Sequence, residues 1–75
     1  AYFVQLGSFS ARTSATNLGS LLKSRGFSAT VTPVTSGGRT LHRVRVGPVA
    51  DRAGGEALAK RLRAAGHAGS VVPGP

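Results

Sequence analysis

Tyr2, Val4 and Leu6 alternate with Phe3 and Gln5, and this period of two predicts a first strand over residues 2–6, ended by Gly7. The period then lengthens. Ala15, Leu18 and Leu22, with Leu21 at the margin, recur at helical spacing. The first helix is expected to begin near Thr13 or Ser14, either of which can cap free backbone N–H groups, and to stop at Gly26 after Arg25. Residues 28–34 read as a β-branched second strand, which Pro33 assigns to an edge because proline cannot donate to a ladder. Ser36-Gly37-Gly38-Arg39 predicts a hairpin turn. In the third strand, over residues 41–46, His42, Val44 and Val46 share one face while Leu41, Arg43 and Arg45 share the other. Arginines on a central strand are not buried unpaired, so that second face should be open to solvent or ligand. Asp51 is a good cap for a second helix that turns Leu58, Leu62 and Ala65 inward and sets Glu56 four residues before Lys60. Gly54-Gly55 weakens its first turn by roughly 1 kcal/mol per glycine relative to alanine. Gly66 stops the helix, and residues 68–72 give a short last strand.

The pattern occurs twice. Residues 4–33 superpose without a gap on residues 44–73, matching Val4 with Val44, Gly7 with Gly47, Leu18 with Leu58, Leu22 with Leu62, Gly26 with Gly66 and Val31 with Val71. Arg12 and Pro33 also recur, as Arg52 and Pro73. Each copy reads strand, helix, strand, and a unit of that kind needs about 30 residues. Two copies imply a closed pseudo-twofold domain, because open repeat arrays usually need three or more units. The expected class is α+β, of order βαββαβ: a four-stranded antiparallel sheet with two helices on one face, in the ferredoxin-like or RNP-like arrangement. One domain over 1–75 is expected, with repeat halves 4–33 and 44–73 and a hairpin linker at about 35–40.

Composition narrows the chemistry. With 75 residues and no cysteine, the chain must be held by one small apolar core, without disulfides, thiolate metal sites or a thiol nucleophile. No apolar run of about eighteen residues and no hydrophobic signal segment occurs, and Ala at position 1 suggests a segment of a longer protein. Ten Lys and Arg oppose only Asp51 and Glu56, a formal charge of +8 that points to an anionic partner. Two carboxylates near one helix start, with no Walker or nucleophile-elbow motif, leave few players for acid–base or nucleophilic catalysis. No catalytic residue is assigned. His42 and His67 lie far apart without a carboxylate cluster, so neither a metal nor any other cofactor is expected.

Val-Gln-Leu-Gly-Ser-Phe at 4–9, His-Arg-Val-Arg-Val-Gly-Pro-Val at 42–49 and the helix-ending Arg-Gly-Phe and Ala-Gly-His resemble the SPOR domain, the sporulation-related repeat of bacterial cell-envelope proteins. The resemblance spans nearly the whole chain. It implies a noncatalytic module of the periplasm or cell envelope that binds peptidoglycan strands denuded of stem peptides, which concentrate at the division septum. It also implies that Gln5, Ser8 and Arg43 contact glycan. Leu41 stands where related division proteins often carry Trp, and Leu6 and Ser70 replace cysteines that tie the first strand to the last in some relatives. A last-strand aliphatic of related domains corresponds to Val71. Its face stays open on this reading, because the repeat equates it with Val31, which alternation with Ala29 would place in the core. Phe3 and Arg45 join the candidates as neighbours on the same faces. The implied partner is denuded glycan, bound by a monomeric domain whose parent protein can be membrane-anchored and can be a peptidoglycan hydrolase or a noncatalytic division protein.

Each candidate also has a plainer role. Gln5 can be ordinary surface, Ser8 can order the turn, and Arg43 and Arg45 can form a solvated face. His42 reads better as a partly buried packing residue. Arg25, Lys60, Arg61 and Arg63 sit on helices or near their C-terminal turns, where the macrodipole favours cations. The competing function is RNA binding, since βαββαβ is also the topology of the RNA-recognition motif. Stacking rings on the two central strands are what that reading needs, and only Phe3 on the first strand offers one. No specific nucleic-acid partner is therefore expected.

Overall fold

The computed structural model describes residues 1–74 and contains β1 (Tyr2–Phe9), α1 (Arg12–Ser24), β2 (Ala29–Ser36), β3 (Arg39–Val49), α2 (Arg52–Ala64) and β4 (Ser70–Pro73). All neighbouring strands are antiparallel, in the order β2-β3-β1-β4. The two central strands are thus the first strands of the two repeats, and Pro33 lies on an edge strand as its missing N–H requires. Both helices cover the same sheet face: Val4, Val44 and Val46 are buried together with Ala15 and Leu22 of α1 and Ala59 and Leu62 of α2. The fold is α+β with βαββαβ order.

Each helix rests on its own pair of strands, α1 on β2 and β3 and α2 on β1 and β4. Small residues make that approach possible. Ala15 and Gly19 in α1, and Gly55 and Ala59 in α2, are the buried positions one turn apart on each helix. A Cβ on Gly55 would lie 2.8 Å from Cγ1 of Val71, and one on Gly19 would lie 3.2 Å from Cγ2 of Val31. The glycine that weakens the first turn of α2 is therefore the one that lets the helix settle onto β4. Both helices end alike, with the Phe27 N–H donating to Leu22 O at 3.0 Å and the His67 N–H donating to Leu62 O at 2.8 Å.

Several boundaries differ from the sequence reading. The α1 N-cap is Ala11, whose side chain makes no capping bond, whereas Asp51 caps α2 by accepting from the Gly54 N–H at 2.7 Å. Leu21 is 40% exposed and lies outside the core, and Leu18 is only half-buried. The β2–β3 turn is formed by Gly37 and Gly38 at φ 57° and 76°, between paired Ser36 and Arg39, which is the two-residue hairpin geometry that L side chains resist.

Strand β1 does not end at Gly7. The register slips between Gln5 and Gly7 against β3, so Leu6 is an extra residue in a bulge and the strand continues to Phe9. The slip exchanges faces: Ser8, which strict alternation from Val4 would turn inward, pairs with Arg43, and Phe9 turns in to pack on the core. The second repeat slips at its equivalent glycine, between the pairs Tyr2–Val49 and Val4–Val46. There Gly47, at φ 138° before a cis bond to Pro48, sits so close to β1 that a Cβ would stand 3.1 Å from Tyr2 O and 3.2 Å from Cδ2 of Phe3.

Candidate functional site

The sheet face away from the helices carries the polar residues of the two central strands. Ladder partners share a face, so the register assembles two rows across the sheet. One row runs Thr32, Arg43, Ser8 and the other Thr30, Arg45, Gln5, Ser70. The rows stand about 7 Å apart, two residues of strand rise. Gln5 and Arg45 are equivalent positions of the two repeats and pair directly with each other, so they mark the pseudo-twofold axis at the centre of the face.

Beside the rows, the Arg45 guanidinium carbon lies 4.2 Å from the Phe3 ring centroid, a contact in which the ring face attracts the cation and limits its motion. Gly74 closes over the same ring: a Cβ there would stand 2.5 Å from Cε1 of Phe3. Its N–H donates to Ala1 O at 2.9 Å, which holds Gly74 beside the start of β1. At the other end of the face Leu41 pairs with Val34, a half-buried aliphatic pair with no aromatic ring.

Electrostatics distinguishes this surface from a merely solvated one. Arg43 and Arg45 are half-buried, and the Nε of each is shielded from solvent with no hydrogen-bond partner among the described residues. Both acids of the chain, Asp51 and Glu56, belong to the start of α2 in the opposite layer. Two guanidinium groups thus share a face that has no Asp or Glu side chain among the described residues. Holding two half-buried like charges side by side is costly, and an anion laid across the strands, accepting from the guanidinium groups, would relieve that cost.

The structure brings Gln5, Ser8, Arg43, Arg45, Phe3 and Leu41 together on this face. Val71 is excluded from it. It pairs with Val4, packs on the core and abuts Gly55, so the last-strand aliphatic on the open face is its neighbour Val72, paired with Phe3. Thr30, Thr32 and Ser70 are further members that the sequence reading passed over. Alternation against the inward Val31 would have found the two threonines. His42 lies half-buried on the helix side, in a hollow shared with Arg12, Thr16, Val31 and Pro33, and is not a member of the rows.

Comparison with known proteins places this geometry in a family. The SPOR domain model matches residues 1–73. The chain belongs to the SPOR domain family. Its fold is shared with the crystal structure of the RlpA SPOR domain from Pseudomonas aeruginosa, at 22% identity and a TM-score of 0.83, covering 99% of this chain and 100% of that one. It is also similar to the solution structure of the peptidoglycan-binding domain of the B. subtilis cell wall lytic enzyme CwlC, at 30% identity and a TM-score of 0.78, covering 95% of this chain and 85% of that one. Among curated proteins none matches the chain.

Proposed function

We propose that this SPOR domain is a noncatalytic peptidoglycan-binding module that takes denuded glycan strands across its open sheet face, in the cell envelope at the division septum. The observation that carries the reading is the pair of half-buried arginines on a face with no Asp or Glu side chain, the Nε of each without a partner among the described residues. The B. subtilis relative, named as a peptidoglycan-binding domain, supports the polymer class.

Removing the stem peptide from N-acetylmuramic acid converts a lactyl amide into a free carboxylate, so denuded glycan is a regular polyanion and intact glycan is not. A guanidinium can hold such a carboxylate through two parallel hydrogen bonds, worth roughly 1.5–3 kcal/mol where water is partly excluded. A fully exposed pair would contribute about 0–1 kcal/mol. Arg43 and Arg45 lie between those limits, being half-buried. Gln5 offers both a donor and an acceptor to N-acetyl and hydroxyl groups, and Ser8, Thr30 and Thr32 offer hydroxyls on either side of the arginines. Leu41 supplies apolar surface for a sugar C–H face, and Phe3 holds Arg45 in place. The site is a shallow track, so affinity is the sum of moderate contacts along an extended strand.

The test is to measure binding of the domain to amidase-treated sacculi, untreated sacculi and single-stranded RNA at physiological salt. Preference for the amidase-treated material, lost in Arg43→Ala, is expected; preference for RNA or equal binding to untreated sacculi would overturn the reading. A fluorescent fusion in dividing cells should concentrate at the septum and become diffuse with the same substitution.

A further inference from the structure

Most of the positive charge does not lie on the open face. Arg12, Lys23 and Arg25 are exposed on α1 and at its C-terminus. Arg52, Lys60, Arg61 and Arg63 are exposed on α2. Against these seven cations the helix layer has only Glu56 and Asp51, and Asp51 is already engaged in capping Gly54. The shortest dimension of the molecule is 15 Å, whereas charges are screened over about 8 Å at physiological ionic strength. The helix-side cations therefore contribute little to a ligand held on the opposite sheet face, and their own surface is the place to look for what they bind.

The surface between the charges restricts the partner. The outer side of α1 exposes Thr13, Ser14, Thr16, Asn17 and Ser20, so guanidinium and ammonium groups are interspersed with hydroxyl and amide donors. Arginine, lysine, serine, threonine and asparagine are the side chains that contact phosphodiester backbones without reading a sequence. The aromatic rings among the described residues are half-buried, and arginines already lie over Tyr2 and Phe27, so the layer has no open platform on which nucleic-acid bases could stack. Among the described residues Leu21 is the one exposed large apolar side chain, too little for an amphipathic surface that inserts into a bilayer. Two of the arginines are partly ordered already, Arg52 over Tyr2 at 5.3 Å and Arg61 over Phe27 at 5.5 Å. The α1 and α2 helices do not pack on each other, and a cleft of about 170 Å³ lies between the loop after α1, with Phe27 and Ser28, the end of β3, and Leu58 and Arg61 of α2.

We propose that the helix layer is a second binding surface, separate from the sheet face, for a linear poly(polyol phosphate): a phosphodiester polymer without bases. The two faces act independently, so the domain joins a glycan strand on one side to a phosphate polymer on the other.

The experiment titrates the domain with labelled poly(glycerol phosphate) at about 50 mM and about 200 mM salt, a range over which four phosphate contacts should lower affinity roughly 50-fold. Lys60→Gln with Arg63→Gln should weaken polymer binding about tenfold at the lower salt and flatten the salt slope by about 1 to 1.5. Binding of denuded glycan by that variant should be unchanged, which also shows that it is folded. Single variants Arg25→Gln and Arg61→Gln give a second reading of the same surface. Polymer affinity unaffected by all of these would overturn the proposal. So would displacement of the polymer by denuded glycan, or tighter binding to RNA or to vesicles containing phosphatidylglycerol than to poly(glycerol phosphate).

Discussion

At the scale of single residues the open face has a hierarchy. Arg43 sits between hydroxyls of Thr32 and Ser8, with no aromatic neighbour to hold it, so its directed bonds are available to a ligand. Arg43→Ala is expected to weaken binding of a short denuded glycan roughly 10- to 100-fold, read by fluorescence anisotropy, with a melting temperature close to that of the parent. A variant that binds weakly and also melts early would show that the arginine acts through the fold. Arg45 differs because Phe3 holds it at 4.2 Å. Phe3→Ala should therefore cost binding mainly through Arg45, and adding Phe3→Ala to Arg45→Ala should change little further, the signature of two groups acting as one. If the two losses add in full, the ring contacts sugar on its own account.

At the scale of elements, the sharpest prediction concerns how α2 meets β4. An alanine in place of glycine inside a helix normally stabilises by roughly 1 kcal/mol. At Gly55 the added methyl would meet the stiff, β-branched Val71 at 2.8 Å, so Gly55→Ala should instead destabilise, and Val71→Ala should recover part of the loss in a double-mutant cycle of denaturant midpoints. Gly19→Ala, facing Val31 at 3.2 Å, should be much milder, since the second repeat carries Ala59 at the equivalent position and buries it. These contacts also show what the sequence could and could not convey. The helices, the hairpin, the edge position of β2 and the outward Arg43 and Arg45 were legible because each depends on local periodicity or turn chemistry. The fates of Ser8 and Phe9 were not. They depend on the bulge at Leu6, a register slip between strands about forty residues apart that leaves no local period behind. Val71 was ambiguous for a related reason: its face is fixed by pairing with Val4 and by the space Gly55 leaves, and both are tertiary facts. The uncapped start of α1 at Ala11 shows packing overriding a nearby Thr13 or Ser14 that propensity favours as caps.

At the scale of the whole molecule, binding and stability are linked because 75 residues support only a thin margin, about 4–11 kcal/mol at typical values per residue. Leu22 and Leu62 are the largest fully buried side chains, so truncating either to alanine, at about 2–5 kcal/mol, should consume much of that margin; Leu18, half-buried, should cost less. Ligand binding acts in the opposite direction. The open face is formed by four strands held in register by that core, so a ligand on it binds only the folded chain, and a ligand present at a hundred times its dissociation constant adds about 2.7 kcal/mol. For a domain of this size each kcal/mol moves the melting temperature by about 4–8 °C, so saturating denuded glycan should raise it by about 10–20 °C. Glycan that keeps its stem peptides has its lactyl carboxylates tied up as amides and should give little shift. Arg43→Ala should abolish most of the shift while leaving the unliganded melting temperature in place. In the Leu62→Ala variant the opposite should hold: a low starting temperature with the ligand-induced rise retained at temperatures where the domain is still folded. Equal shifts from denuded and intact strands would mean that the arginines do not read the carboxylate.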